Sequence, residues 1–289
     1  MAKVILTPEQ RKEKLTAAHD QLVAAVESIA TGEQWREYLA FASRLHRYSA
    51  RNLFLLHWQA AQRGWSELGP VAGYRSWFTM GRQVRKGEKG LAILAPCTYK
   101  VHGTESDEDR FVLRGFRVEH VFAACQTDGD GEIPEPVRPR LLTGDGPDGA
   151  WEAVARIVEG HGYTIARGPL APANGMTDQL AHVVTVADRL DGAAAVKTLV
   201  HELGHVLMHP SSIDYAAHRD RCEVEAESVA FLVCKQLGLT TDEYTFGYVT
   251  VWAEGKAELV MDTAERALRC AEEILAELEM VPENVTRPS

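Results

Sequence analysis

The chain has 289 residues, with 31 Lys+Arg against 41 Asp+Glu and a formal net charge of −10. At 45% hydrophobic and 25% charged residues the composition is that of a globular protein, which excludes a disordered or fibrous chain, and the length predicts about two domains. No run approaches the roughly 18 apolar residues of a membrane span, and the opening MAKVILTPEQRKEK turns charged too early for a secretory signal, so no membrane partner and a cytoplasmic location are expected. The five cysteines form no C-x-x-C pair and read as buried, reduced thiols.

The average charge conceals two unlike halves. Residues 1–127 hold 18 Lys/Arg and 13 Asp/Glu, net +5, whereas residues 128–289 hold 13 and 28, net −15. Such an asymmetry points to a nucleic-acid or membrane surface on the basic side.

The first helix is predicted from Thr7-Pro8-Glu9-Gln10, where a Thr N-cap, a Pro at the first helical position and a Gln at the third coincide. A second helix is predicted over about 33–46 from the spacing of Trp35, Leu39, Ala42 and Leu45, and a third from Ser49 to about Arg63, closed by Gly64. From Val71 the pattern turns to short β-type runs, VAGYRSWF, GLAILAP, CTYKV and FVLRGFRVEHVF, separated by Gly-rich or charged turns. Residues 128–149 are rich in Gly, Pro and Asp and read as a linker. Beyond it come a helix near 150–160, strands around Tyr163–Ala166 and His182–Ala187, and helices near 193–209, 220–237 and 256–280. The expected fold is α+β in two domains, 1–127 and 150–289, joined by 128–149.

His201-Glu202-Leu203-Gly204-His205 is an H-E-x-x-H motif inside a predicted helix. Positions i and i+4 share a face, so both imidazoles reach one ion, while Glu202 can touch a metal-bound water as general base without ligating the metal. A catalytic zinc takes three protein ligands. The next helix offers Glu223 and Glu227 on one face, with Glu225 pointing elsewhere. Glu223 is assigned as the third ligand and Glu227 as the carboxylate orienting a ligand His, with the reverse assignment left open. Two buried histidines beside a carboxylate would be costly without an ion, and His and Glu donors favour Zn²⁺. His209 lies eight residues, about 12 Å of helix rise, from His201 and cannot share its ion, so it reads as a cap or cleft residue. Tyr215 and His218 are candidates to stabilise an oxyanion, and the run 182–187 is expected to be an edge strand for an extended peptide substrate.

Between Arg36 and Lys89 there are ten Lys/Arg and three Asp/Glu, interleaved with Tyr48, Trp58, Trp65, Tyr74, Trp77 and Phe78. Positive charge for phosphates with aromatic faces for bases suits single-stranded nucleic acid, although Trp35 and Trp77 would by default be core. Arg44, Arg47 and Arg51 stripe a helix junction, and Arg82, Arg85, Lys86 and Lys89 decorate a Gly-rich turn able to follow a backbone.

The strings Tyr48-Ser49-Ala50-Arg51-Asn52, Gly73-Tyr74-Arg75-Ser76-Trp77, GRQVRKGEKG over 81–90 and ILAP over 93–96 resemble the N-terminal single-stranded-DNA-binding domain of ArdC-like antirestriction proteins. The second half, with TLVHELGH and EVEAESVA, is similar to the zincin-like metallopeptidases of the ImmA/IrrE group. The resemblance implies a protein tied to mobile elements that protects single-stranded DNA against restriction, and gives Ser49, Asn52, Trp77, Arg82 and Lys86 a role in DNA binding. Two functions follow: a DNA-associated zinc metallopeptidase with a peptide or protein substrate, or a non-enzymatic protection protein whose zinc is structural. Oligomeric state is not legible in the sequence.

Overall fold

The computed structural model describes residues 7–45, 48–65, 68–101, 110–133, 148–210, 218–239, 246, 253 and 256–279. It divides into two compact units, and the division is not a single cut. Residues 1–28 and 47–136 form the first unit, residues 29–46 and 137–289 the second.

The first unit contains α1 (Pro8–Glu27), α3 (Ala50–Gln62), β1 (Val71–Gly73), α4 (Tyr74–Thr79), β2 (Gln83–Val84), β3 (Leu91–Val101), β4 (Arg110–Ala123) and β5 (Thr127–Asp128). Helix α1 starts at the expected capping box, with Gln10 N donating to Thr7 Oγ1 and Thr7 N to Gln10 Oε1. The sheet runs β1-β4-β3, antiparallel throughout; α3 lies against both β3 and α1, and its Leu53, Phe54, Leu55 and Leu56, which point around the helix, are all fully buried. The two runs GLAILAP and CTYKV are one strand, β3, with a register shift between Cys97 and Thr98. Pro96 is tolerated within it because β3 is an edge strand, where a missing N–H faces no neighbour. In VAGYRSWF only the first three residues are strand; the rest is α4, turned inward so that Trp77 is fully buried.

The expected linker begins too early. Thr127 and Asp128 pair as β5 with β2, and the following glycines close on the turn before it. A Cβ on Gly131 would stand 1.7 Å from Met80 O, and one on Gly129 2.5 Å from Gly81 O, so no side chain fits there. Residues 134–147 lie outside the described residues.

The second unit holds α2 (Gly32–Ala42), α5 (Asp148–Gly160), β6 (Thr164–Gly168), β7 (Gly175–Asp178), β8 (Val183–Ala187), α6 (Gly192–Met208), α7 (Arg219–Gln236) and α8 (Ala257–Glu279). Its sheet order is β6-β8-β7, with β8 parallel to β6 and antiparallel to β7. The run 182–187, expected at the edge, is therefore the central strand, its Val184 and Val186 fully buried. The edge beside the H-E-x-x-H motif is β7, a four-residue strand whose sequence GMTD carries no apolar alternation.

Helix α2 departs from the expected domain boundary at 127. It packs on α7, where Trp35, fully buried, donates from Nε1 to Ser228 Oγ at 3.0 Å, and Gln236 Nε2 donates to Ser43 O. The apolar stripe of Trp35, Leu39, Ala42 and Leu45 predicted the helix, which ends at Ala42 rather than near 46; a stripe does not record which surface will cover it.

Candidate metal centre and basic module

Helix α6 is placed by Val196, Leu199, Val200 and Leu203, all buried, and by Gly204. A Cβ at Gly204 would lie 3.2 Å from Ala226 Cα, so the glycine within the motif allows α6 and α7 to approach closely. That approach sets Glu223 and Glu227 of α7 opposite His201 and His205.

The two imidazole Nε2 atoms stand 3.1 Å apart. Glu223 puts Oε2 3.5 Å from His201 Nε2 and Oε1 3.8 Å from His205 Nε2. One ligand atom from each of the three residues lies within 4.8 Å of the others. Ligands about 2.0–2.1 Å from a tetrahedral ion are separated by roughly 3.3 Å, so this set has the dimensions of a three-ligand face. Glu223 is the most exposed of the three, which leaves the site open towards a cavity of about 760 Å³ lined in part by Asn174, Met176, Leu180, Lys197 and Arg219.

Each histidine is held from behind. His201 Nδ1 is 3.0 Å from Glu227 Oε2, and the other oxygen of that carboxylate takes Lys197 Nζ at 3.0 Å. His205 Nδ1 is 3.0 Å from His209 Nδ1, and His209 Nε2 is 2.8 Å from Glu225 Oε2. Burial opposes a charge on His201, but its hydrogen bonds to Glu223 and Glu227 and the charge of Glu202 prevail and lift it to about 9. Burial and then the neighbouring charge of His201 push His205 down to about 3.

Glu202 is buried, which raises its carboxyl above the ordinary range against the counter-effects of His201 and Thr177. Thr177 Oγ1 on β7 donates to Glu202 Oε2 at 2.7 Å. A Cβ on Gly175 would lie 2.3 Å from Glu202 Oε1, so the edge strand runs directly against the carboxylate. Gln179 Nε2, just past β7, donates to the carbonyls of His205 at 3.2 Å and His209 at 3.0 Å, satisfying acceptors at the helix end.

Sequence reasoning missed Thr177, Gln179 and Glu225 as parts of this cluster, whereas His209, read as a cap or cleft residue, is the C-cap of α6 and lines the cavity. The helix-rise argument rightly separates His209 from His201, but His209 stands one turn from His205 and meets it ring to ring. Glu225 points away from Glu223 and Glu227, as expected, yet arrives behind the site through that imidazole. His218 is exposed at the start of α7, and Tyr215 lies outside the described residues.

The basic module has a different character. Asn52, 8% exposed, donates from Nδ2 to Leu94 O at 3.1 Å and accepts from Leu94 N at 2.8 Å, clipping α3 to β3. Trp77 donates from Nε1 to Phe122 O at 2.8 Å. Arg82 donates to Thr127 Oγ1, to the Gly129 and Gly131 carbonyls at 2.8 and 2.9 Å, and to Thr127 O. These three side chains, expected to bind DNA, are engaged inside the fold. Tyr48 OH donates to Val71 O at 3.1 Å. Arg85 bonds Glu88 at 2.8 Å and Asp128 at 3.3 Å and is partly neutralised. Ser49, Arg51, Tyr74, Lys86 and Lys89 are exposed, and Arg51 sits 6.0 Å from the Phe116 ring centroid. Phe78 is 69% and Tyr74 50% exposed, one turn apart on α4. Arg47 lies outside the described residues.

Among the described residues no helix is long and apolar enough to cross a membrane. The chain is 30% identical over 60 residues to an uncharacterized protein of Bacillus anthracis, pXO2-81, a stretch that is 21% of this chain and only a tenth of that protein's length. The crystal structure of the antirestriction ArdC protein from plasmid R388 in its Mn(II)-bound form aligns with a TM-score of 0.51 and 23% identity, over 81% of this chain and 90% of that one. Its metal-free form aligns with the same score and identity over 80% and 85%. Residues 11–122 match the family described as the N-terminal domain of anti-restriction factor ArdC. Over residues 11–122 the chain is therefore similar to the N-terminal domain of ArdC, and it shares its fold with the plasmid protein.

Proposed function

We propose that the protein is an antirestriction factor that holds single-stranded DNA on its first unit and carries a zinc-dependent peptidase centre of the zincin type on its second. The observation that carries the enzymatic part is the convergence of His201, His205 and Glu223 beside a separately held Glu202, on an open cleft bounded by a strand edge. A purely structural ion needs its ligands; it has no need of a fourth, acidic residue gripped by Thr177.

His201 and His205 with Glu223 would hold the ion, and Glu227 orients His201 through its Nδ1–H. A zinc ion there supplies the Lewis acidity that makes water a nucleophile near neutral pH. Glu202 takes the proton from the attacking water and returns it to the leaving amine. The outer edge of β7, unpaired among the described residues, offers backbone groups to an extended peptide, with Met176 and Leu180, 50% and 92% exposed, as apolar contacts along the cleft. On the first unit, Arg51, Lys86 and Lys89 meet phosphates, while Tyr74 and Phe78 present faces to unstacked bases.

The test is Glu202→Gln. Zinc measured by elemental analysis should stay at the parent level, cleavage of a quenched-fluorescence peptide library should fall about 10²–10⁴-fold, and protection of single-stranded DNA from nuclease should persist. Cleavage at the parental rate removes Glu202 from the chemistry.

A further inference from the structure

The two candidate ligand histidines are backed by different devices. Behind His201 stands one carboxylate, Glu227, one-fifth exposed and balanced by Lys197. Behind His205 stands a second imidazole, His209, only 4% exposed at its side chain, and behind that Glu225 at 1%. Glu225 Oε1 in turn receives Arg221 Nε at 3.0 Å and has Arg266 Nε at 3.1 Å. Arg221 is tied onward to Asp262 and, at 3.1 Å, to Thr263 Oγ1 on α8.

The donors and acceptors along this line admit one consistent arrangement. With His205 Nε2 turned to the ion, its ring hydrogen is on Nδ1 and donates to His209 Nδ1. His209 must then carry its hydrogen on Nε2, where it faces a carboxylate that only accepts. Resting on the metal-centre reading above, we propose that His209 and Glu225 are positioning residues for the ion. They form a carboxylate–imidazole–imidazole relay that fixes the ring orientation and hydrogen placement of His205 and brings the charge of a buried glutamate to bear on it. Arg221 and Arg266 fix Glu225 itself, so α8, which supplies no ligand, takes part in holding the site.

Ligand-orienting partners of this kind change metal affinity by about 10–100-fold when removed. The experiment is a zinc competition titration against a chromophoric chelator, with the visible spectrum of the Co²⁺-substituted protein, on the full chain and on His209→Ala, His209→Asn and Glu225→Gln. Folding of each is checked by circular dichroism. His209→Ala should weaken zinc binding by at least about tenfold and shift the cobalt bands. His209→Asn keeps an acceptor where Nδ1 stood but cannot reach Glu225, so it should fall between the parent and alanine, and it carries the test if the alanine variant does not fold. Parental affinity and an unshifted cobalt spectrum in His209→Asn and Glu225→Gln overturn the relay. A parent chain that takes up no zinc overturns the metal-centre reading instead.

Discussion

His201, His205 and Glu223 come from two helices and bring their ligand atoms within 4.8 Å across a cleft. Asn52, Trp77 and Arg82, the residues that look most diagnostic in the basic module, instead bond to groups of their own unit. In the second unit the polar residues of the motif converge on a common point with part of their surface open. In the first they secure a helix, a tryptophan and a turn. A recognisable string can thus mark a chemical site or a piece of architecture, and burial together with hydrogen-bond partners decides between them.

The sharpest way to test the first half of that contrast is Gly175→Ala. The added methyl would stand 2.3 Å from Glu202 Oε1 and 2.7 Å from Thr198 Cγ2, so the carboxylate should swing away and β7 should draw back from the stiff Thr198 side chain. Peptide cleavage should drop about 10²-fold or more with zinc content unchanged; loss of zinc in parallel would show that the strand shapes the ligands as well. Second in size are Asn52→Ala, expected to cost about 1–3 kcal/mol of stability by leaving the buried Leu94 N–H and C=O unsatisfied, and Arg82→Ala, expected to cost about 1 kcal/mol because its partners are part-buried or exposed. Denaturant melts report that cost, and DNA affinity of the folded fraction should match the parent. Weakened DNA binding with an unmoved unfolding midpoint would break the comparison.

Phe78→Ala should do the opposite, lowering affinity for single-stranded DNA by about 1–3 kcal/mol and leaving the melt alone, because the ring is 69% exposed. Smallest is a pH effect. With His201 at about 9 and His205 at about 3, the metal-free site carries one imidazole proton at neutrality that a cation must displace. Zinc affinity should therefore rise with pH until about 9, by about tenfold per unit or 1.4 kcal/mol. Calorimetry in buffers of different ionisation enthalpy counts the released proton, and a pH-independent affinity would mean that His201 is neutral before binding.

The parts of this molecule legible in the sequence are those whose causes are local. Thr7 and Gln10 announce a helix because both capping bonds lie within one turn, and His201 with His205 announces a shared face because the helix repeat fixes it. What escaped was non-local. The four residues of β7 hold no apolar rhythm and are a strand only because β8 pairs with them. His209 and Glu225 are joined across two helices by a contact that no spacing rule anticipates. Arg82 looks like a phosphate ligand until the carbonyls of Gly129 and Gly131, almost fifty residues later, are seen to surround it.

Helix α2 changes what counts as a part. The chain passes from one unit to the other three times, after residues 28, 46 and 136. A stretch beginning at 137 would retain the histidine motif and both its carboxylates, yet lack Trp35, Tyr38 and Leu39, each fully buried in the whole protein. Ser228, the neighbour of Glu227, would lose its indole partner, and an apolar face of α7 would meet water. The N-terminal segment, taken alone, would carry the same three side chains without α7 to pack against. A cut after residue 136 therefore does not separate the two units, and a new partner for either half would have to bring, or accept, the borrowed helix.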